Sequence, residues 1–211
     1  QRTLKRTTQR GIRHALHPLQ RRYRVDHLML NRRHLNDTFY TDTLFSKVKS
    51  MNGNTCAQVY SNGSFTKVFP MPDKTGARVG QTLTDFADDV GIPDTLVMDL
   101  APEQAGKHTE MQTEARRLQV RIRFTEKGRS EQNHTAEGEI GQLKRRWKHR
   151  MTTKNVPRCL WDYGLVHEAE VLSILARGKD QVPGLEKVLG QTIDISEYLD
   201  FGIWDLVWYW D

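Results

Sequence analysis

Cysteine is scarce in this sequence. Cys56 and Cys159 are the only two in 211 residues, which excludes a disulfide-stapled secreted scaffold and points to a reducing compartment. Long apolar runs are missing as well. No stretch approaches the roughly 20 apolar residues a membrane-spanning helix needs, and the basic N-terminus is not followed by the apolar core of a secretion signal. No internal repeat or low-complexity tract is present. Acid is nearly absent from the first 33 residues, where Asp26 stands alone. Aromatics are not lacking: five Trp, seven Phe and six Tyr argue for a packed core rather than disorder. The length suits one substantial domain, or one with extensions. A first residue that is Gln and an abrupt stop after Trp210-Asp211 lead us to expect a segment of a longer polyprotein.

The net charge of +6 is unevenly spread. Arg2, Lys5, Arg6, Arg10, Arg13, Arg21, Arg22, Arg24, Arg32 and Arg33 make the first stretch a basic arm, and Lys144, Arg145, Arg146, Lys148 and Arg150 form a second cluster. Either could hold a polyanion by neutralising its charges and releasing counterions. The alternative is a solvated face, or an arm lying on an acidic neighbour. The end of the chain, from Ile193 onward, is by contrast acidic and aromatic.

After the arm, the pattern predicts an α/β domain. Phe39 to Phe45, Thr55 to Tyr60 and Ser64 to Pro70 read as strands, the last two joined by a turn at Ser61-Asn62-Gly63. Val79, Leu83, Phe86 and Val90 recur at helical spacing, and Gly91 closes that helix. A strand at Asp94 to Leu100, a helix at Thr109 to Leu118 and a strand at Gln119 to Phe124 follow. A long helix over Asn133 to about Lys154 carries Ala136, Ile140, Leu143 and Trp147 as its apolar stripe. Pro157 to Leu175 reads as one more helix. This order favours a mixed sheet with helices packed on it. Cys56, Cys159, Trp147 and Trp161 read as core, and Trp204, Trp208 and Trp210 as packing at the acidic end.

Three acids stand where chemistry would want them. Asp42 is mid-strand between Thr41 and Thr43, Asp99 ends a strand after Leu96-Val97-Met98, and Glu137 opens a helix. A strand carboxylate is costly to bury unpaired, and the carboxyl edge of a sheet is where α/β folds place their sites. Carboxylates gathered in one place repel one another. Divalent cations relieve that repulsion, and an oxygen-only donor set favours Mg²⁺ or Mn²⁺. Taken singly, each is one of 26 acids.

The set resembles a known family. Gln132-Asn133-His134-Thr135-Ala136-Glu137 is similar to the Gln-Asn-Gly-Val-Ala-Glu signature around the last acid of Copia-type LTR retrotransposon integrases, within the retroviral integrase superfamily. Asp99 in Val97-Met98-Asp99-Leu100-Ala101-Pro102-Glu103 resembles the second acid, and Asp42 the first. The 37 residues between Asp99 and Glu137 are close to the D,D-35-E pattern, and Gly91-Ile92-Pro93 resembles the Gly-x-Pro before the second acid. Gln181 to Glu186, Gly190 to Ser196 and Phe201-Gly202 resemble the segment after the Copia core, so the likeness runs from about 35 to 205. There are departures. Leu100-Ala101 replaces the family's Asn-Gly, His134 replaces a Gly, and Gln104 replaces a Phe.

The resemblance implies an RNase H-like fold: a five-stranded mixed sheet flanked by helices over 35–155, with the basic arm 1–34 before it and a C-terminal helical extension 156–211 after it. It implies phosphoryl transfer on DNA, by two Mg²⁺ or Mn²⁺ ions held on Asp42, Asp99 and Glu137, for 3′-end processing and strand transfer. Element ends and target DNA are the implied partners, along with a homo-oligomer and no membrane. The implied setting is the nucleus at integration and a cytoplasmic particle before it. Lys144, Arg145 and Lys148, on the helix of Glu137, and Arg21, Arg22 and Arg24 in the arm become candidate DNA contacts, and Gly141 leaves room for DNA to approach. Two alternatives remain. One is a catalytically inactive, integrase-derived DNA-binding or assembly module. The other is an RNase H-like nuclease, which would need a fourth acid, Glu103 or Glu139. No Cys-x-x-Cys follows His14, His17, His27 and His34, so a zinc module using paired cysteines is excluded within this chain. A site built from His alone stays open.

Overall fold

The computed structural model describes residues 7–8, 32–98, 110–125, 134–177, 180–190 and 192–205. The centre of the fold is a five-stranded sheet. Its strands in chain order are β2 (His34–Phe45), β3 (Cys56–Ser61), β4 (Thr66–Met71), β5 (Ile92–Met98) and β6 (Arg121–Phe124), after a two-residue β1 (Thr7–Thr8). The spatial order is β4-β3-β2-β5-β6. The β2–β3 and β3–β4 pairs are antiparallel, while β2–β5 and β5–β6 are parallel. The mixed sheet expected from the sequence is therefore present, and β2 lies at its centre.

The helices cover both faces. On one face α1 (Gly76–Asp89) and α2 (Glu110–Arg117) bury Val79, Leu83, Phe86, Met111 and Ala115 against Phe39, Tyr60, Leu96 and Met98. On the other, α3 (His134–Thr153) and α4 (Trp161–Ile174) bury Ile140, Leu143, Trp161 and Leu165 against Leu44, Ala57, Val59 and Val68. The helix expected over Pro157 to Leu175 is split: a 3₁₀ turn at Arg158–Leu160 leads into α4. Gly91 ends α1 at φ +139°, and a Cβ there would stand 2.7 Å from the Arg33 carbonyl oxygen, so glycine is required on both counts.

Beyond α4 come a small hairpin of β7 (Ala176–Arg177) and β8 (Val182–Pro183), then α5 (Gly184–Leu189), β9 (Ile193–Asp194) and α6 (Ser196–Asp200). β9 pairs in parallel with β1. Gly184 seats α5 directly on the β3–β4 turn, where an added Cβ would come within 2.0 Å of the Ser64 carbonyl oxygen. Gly184→Ala must therefore push α5 off the sheet. We expect it to cost about 2–3 kcal/mol, as forced overpacking does, read as a lower urea midpoint.

His167 on α4 gives the fold an acid sensitivity. Burial, reinforced by the Arg150 charge, lowers its pKa from the ordinary 6.5 despite the opposing pull of Glu168. The folded state thus favours the neutral ring, so its contribution is whole above 6.5 and drains away as pH falls from there towards the lowered value. His167→Gln should flatten the fall in thermal midpoint between pH 7.5 and 5.5; identical profiles for the two proteins would refute this.

Candidate active-site face

Asp42 is half-buried on the central strand. Its register partner across the antiparallel pair is Val59, which packs under α3 and α4. Side chains opposite one another share a face, so Asp42 faces the layer that α3 and α4 build. The Thr43 backbone N–H donates to Asp42 Oδ1 at 2.7 Å. The flanking residues are pinned on the opposite face: Thr43 Oγ1 donates to Gln58 Oε1 at 2.7 Å, and Gln58 Nε2 donates to Thr41 Oγ1 at 2.6 Å. Gln58 is fully buried. It locks the two threonines and thereby the strand orientation that turns Asp42 the other way.

β5 runs beside this strand in parallel, and Thr41 pairs with Met98. Met98 is the residue before Asp99 in the chain; Asp99 itself lies outside the described residues. Glu137 is exposed in the first turn of α3, and α3 packs against β2 and β3. Asp42 and Glu137 thus belong to elements in direct contact. Among the described residues, no three His, Cys, Asp or Glu side chains gather into a metal-holding group.

The basic cluster of α3 divides into two. Arg146 Nε donates to Glu168 Oε2 at 3.1 Å, and Arg150 Nε bonds Glu168 Oε1, so these two cations serve the α3–α4 packing. Lys144, Arg145 and Lys148 are exposed. Seven and eleven residues after Glu137, Lys144 and Lys148 return to within about 20° of its direction on the helix, giving a stripe about 16 Å long. Gly141 lies in that stripe, and a Cβ there would meet nothing within 4 Å. This matches the open approach expected of it.

Arg177 is a site-supporting residue that sequence reasoning missed. Its Nη1 donates to Glu139 Oε2 at 2.9 Å and to Gln142 Oε1 at 2.9 Å, and its Nη2 donates to the Ser64 carbonyl at 3.0 Å. One guanidinium therefore ties the Glu137 half of α3 to the β3–β4 turn. No spacing motif links residues 139 and 177, so nothing local signals the contact. It also engages Glu139, one of the two acids considered as a fourth ligand; the other, Glu103, lies outside the described residues.

Arg21, Arg22 and Arg24 also lie outside the described residues. At the described end of the arm, Arg32 Nε meets Asp88 Oδ1 at 2.5 Å and Arg33 Nη1 donates to the Val188 carbonyl at 2.6 Å. Those two cations hold the fold itself. No described helix is long and apolar enough to cross a membrane.

No protein-family model matches the chain, and no curated protein sequence does. Solved structures do. A chain of the simian T-cell lymphotropic virus intasome, solved in complex with PP2A regulatory subunit B56 gamma, aligns with a TM-score of 0.60 at 16% identity, covering 72% of this chain and 53% of that one. This chain thus spans about half the length of that relative. The HTLV-2 integrase catalytic core domain in complex with magnesium aligns in its trimeric form with a TM-score of 0.57 at 12% identity, covering 72% of this chain and 96% of that one. Its dimeric form gives 0.56 at 13% identity, covering 72% and 95%. Likenesses of this kind establish the fold, which is the RNase H-like fold of the retroviral integrase catalytic core.

Proposed function

We propose that this chain is a retrotransposon integrase catalytic core: a DDE-type polynucleotidyl transferase that processes element DNA ends and joins them to target DNA. The observation that carries the reading is the position of Asp42. A half-buried carboxylate occupies the central strand, on the face that α3 covers, and the residue before it pairs with the residue before Asp99. Asp42, Asp99 and Glu137 are the carboxylates we assign to catalysis. Their oxygens are the hard donors that Mg²⁺ or Mn²⁺ takes, and the described pair, one half-buried on a strand and one exposed on a helix packed against it, suits such a donor set. Two divalent ions held there would activate the attacking hydroxyl or water and neutralise charge at the leaving oxygen.

The chain's own cations would hold the DNA. Lys144, Arg145 and Lys148 present positive charge along the helix of Glu137, and the arm residues Arg21, Arg22 and Arg24 would add phosphate contacts from outside it. The Lys144→Ala/Lys148→Ala protein should bind duplex DNA more weakly at every sequence. Its log–log salt slope should be shallower by about two, because each lysine would no longer neutralise a phosphate. An unchanged slope would remove these lysines from the interface. We further propose self-association into a multimer that acts in the nucleus, carried there from a cytoplasmic particle. The nuclease alternative is disfavoured by Glu139, which Arg177 engages.

The deciding experiment is strand transfer of labelled DNA ends with Mg²⁺ or Mn²⁺, comparing the protein with Asp99→Asn. Activity in the first alone supports the reading, and equal activity in both overturns it. DNA binding with no transfer by either protein would instead identify the inactive DNA-binding module.

A further inference from the structure

A cleft of about 730 Å³ opens between the end of β2, the C-terminal part of α3 and the start of α4. Its chemistry has two zones. Lys47, Lys144, Lys148 and Arg158 stand around it, all exposed, and no acid among the described residues lines it. Inside are Leu44, Trp147, Met151, Trp161 and Leu165, four of them buried and Trp147 half-buried. Both indole N–H groups are buried without a hydrogen-bond partner among the described residues. The apolar zone also spills outward, since Phe45 and Val48 at the lip are 64% and 36% exposed, and Met51 just beyond is 69% exposed.

The lining residues Leu44, Met151, Trp161 and Leu165 are already buried in the core, so the apolar surface left in water is the lip of Phe45, Val48 and Met51, which a phosphodiester backbone would not cover. A peptide carrying aromatic and acidic side chains within a few residues would cover the lip and meet the cations together. Just past the end of the same helix, Lys154 holds Asp205 at 2.5 Å, an acid next to Trp204 in the sequence. We propose that the cleft is a docking site for an acidic, aromatic peptide segment of a partner protein. The cleft shares Lys144 and Lys148 with the proposed DNA-holding face, so its test is placed on Lys47, Arg158 and Thr152, which belong to no part of that face.

The test uses the full chain and a fluorescein-labelled peptide, Asp-Glu-Trp-Asp-Leu-Phe-Asp-Glu, with fluorescence anisotropy as readout. A version with every acid replaced by Lys is the control. Thr152 is exposed and lines the cleft, so Thr152→Trp should fill it from the surface and abolish binding. Lys47→Glu/Arg158→Glu should weaken binding by about tenfold or more, because it sets like charges against the ligand, while duplex DNA binding by both variants and their thermal midpoints stay unchanged. Asp99→Asn should bind the peptide normally, which separates this result from failure of the catalytic reading. The proposal is overturned if the acidic peptide does not bind, binds no better than its Lys version, or binds the Thr152→Trp protein equally well. It is also overturned if these variants lose DNA binding instead, if binding appears only in a chain shortened to end at Asp205, or if Thr152→Trp dissolves a dimer of the free chain.

Discussion

Asp42→Asn is expected to reduce strand transfer by about 10³-fold or more: charge stabilisation at a metal-assisted transition state is worth several kcal/mol, and each 1.36 kcal/mol is tenfold in rate. The substitution is close to isosteric. Asn retains an oxygen to accept the Thr43 backbone N–H, which now meets Asp42 Oδ1 at 2.7 Å, so the strand has no cause to shift. The Thr41–Gln58–Thr43 bonds on the opposite face are also left intact. What disappears is one negative charge facing the α3 layer. Asp37 is the matched control. It lies on the same strand but is exposed, and its carboxylate accepts from Asn62 Nδ2 at 3.2 Å, a bond at the surface. Asp37→Asn should leave transfer within about twofold, as surface changes do. If Asp42→Asn retained transfer within a few-fold of the parent at an unchanged thermal midpoint, Asp42 would have no catalytic part.

The sequence showed the elements better than their limits, and the reasons are local. The stripe of α1 is set by near neighbours, and its Val79, Leu83 and Phe86 are buried as the spacing predicts; β3, expected over Thr55 to Tyr60, runs one residue later and is buried on both faces. β2 was expected to begin at Phe39, yet it begins at His34. Asn36 and Asp37 are exposed and of types depleted in strands; parallel pairing with β5 on either side of them, across a register shift between Leu35 and Thr38, carries the strand through. Asp42 could be read as a candidate because an acid amid β-prone residues is costly without a purpose. Its face became definite only with Val59 as its register partner. The basic cluster read as one surface, but Arg146 and Arg150 turn inward to Glu168, an acid whose burial depends on the packing of α3 against α4 and not on anything near it in sequence. The cleft was invisible for the same reason, since its walls come from residues 44–48 and 144–165.

Replacing both Arg146 and Arg150 with Met is expected to cost about 3–5 kcal/mol of stability, the penalty for leaving a buried charge without its partners. Glu168 is only 1% exposed and lies between α3 and α4, with Arg146 and Arg150 one helical turn apart on the facing helix. The arginines are 34% and 32% exposed, so water reaches them and not the carboxylate. That asymmetry fixes the ranking. Glu168→Gln strands two cations that solvent can still hydrate and should cost about 1–3 kcal/mol. The double arginine variant strands an anion that solvent cannot reach, and should cost more. Either single arginine variant leaves one guanidinium in place, so the two single effects should sum to less than the double effect, as partners in one network do. Adding Glu168→Met to the double variant replaces the ion pairs with apolar groups of similar volume and should recover most of the stability. Urea unfolding of the five variants and the parent reads all of these terms. Additive single effects with no recovery in the triple variant would show that the arginines act by covering apolar surface with their stems, and that the buried carboxylate is not what holds α3, with its Glu137 and its lysine stripe, against α4.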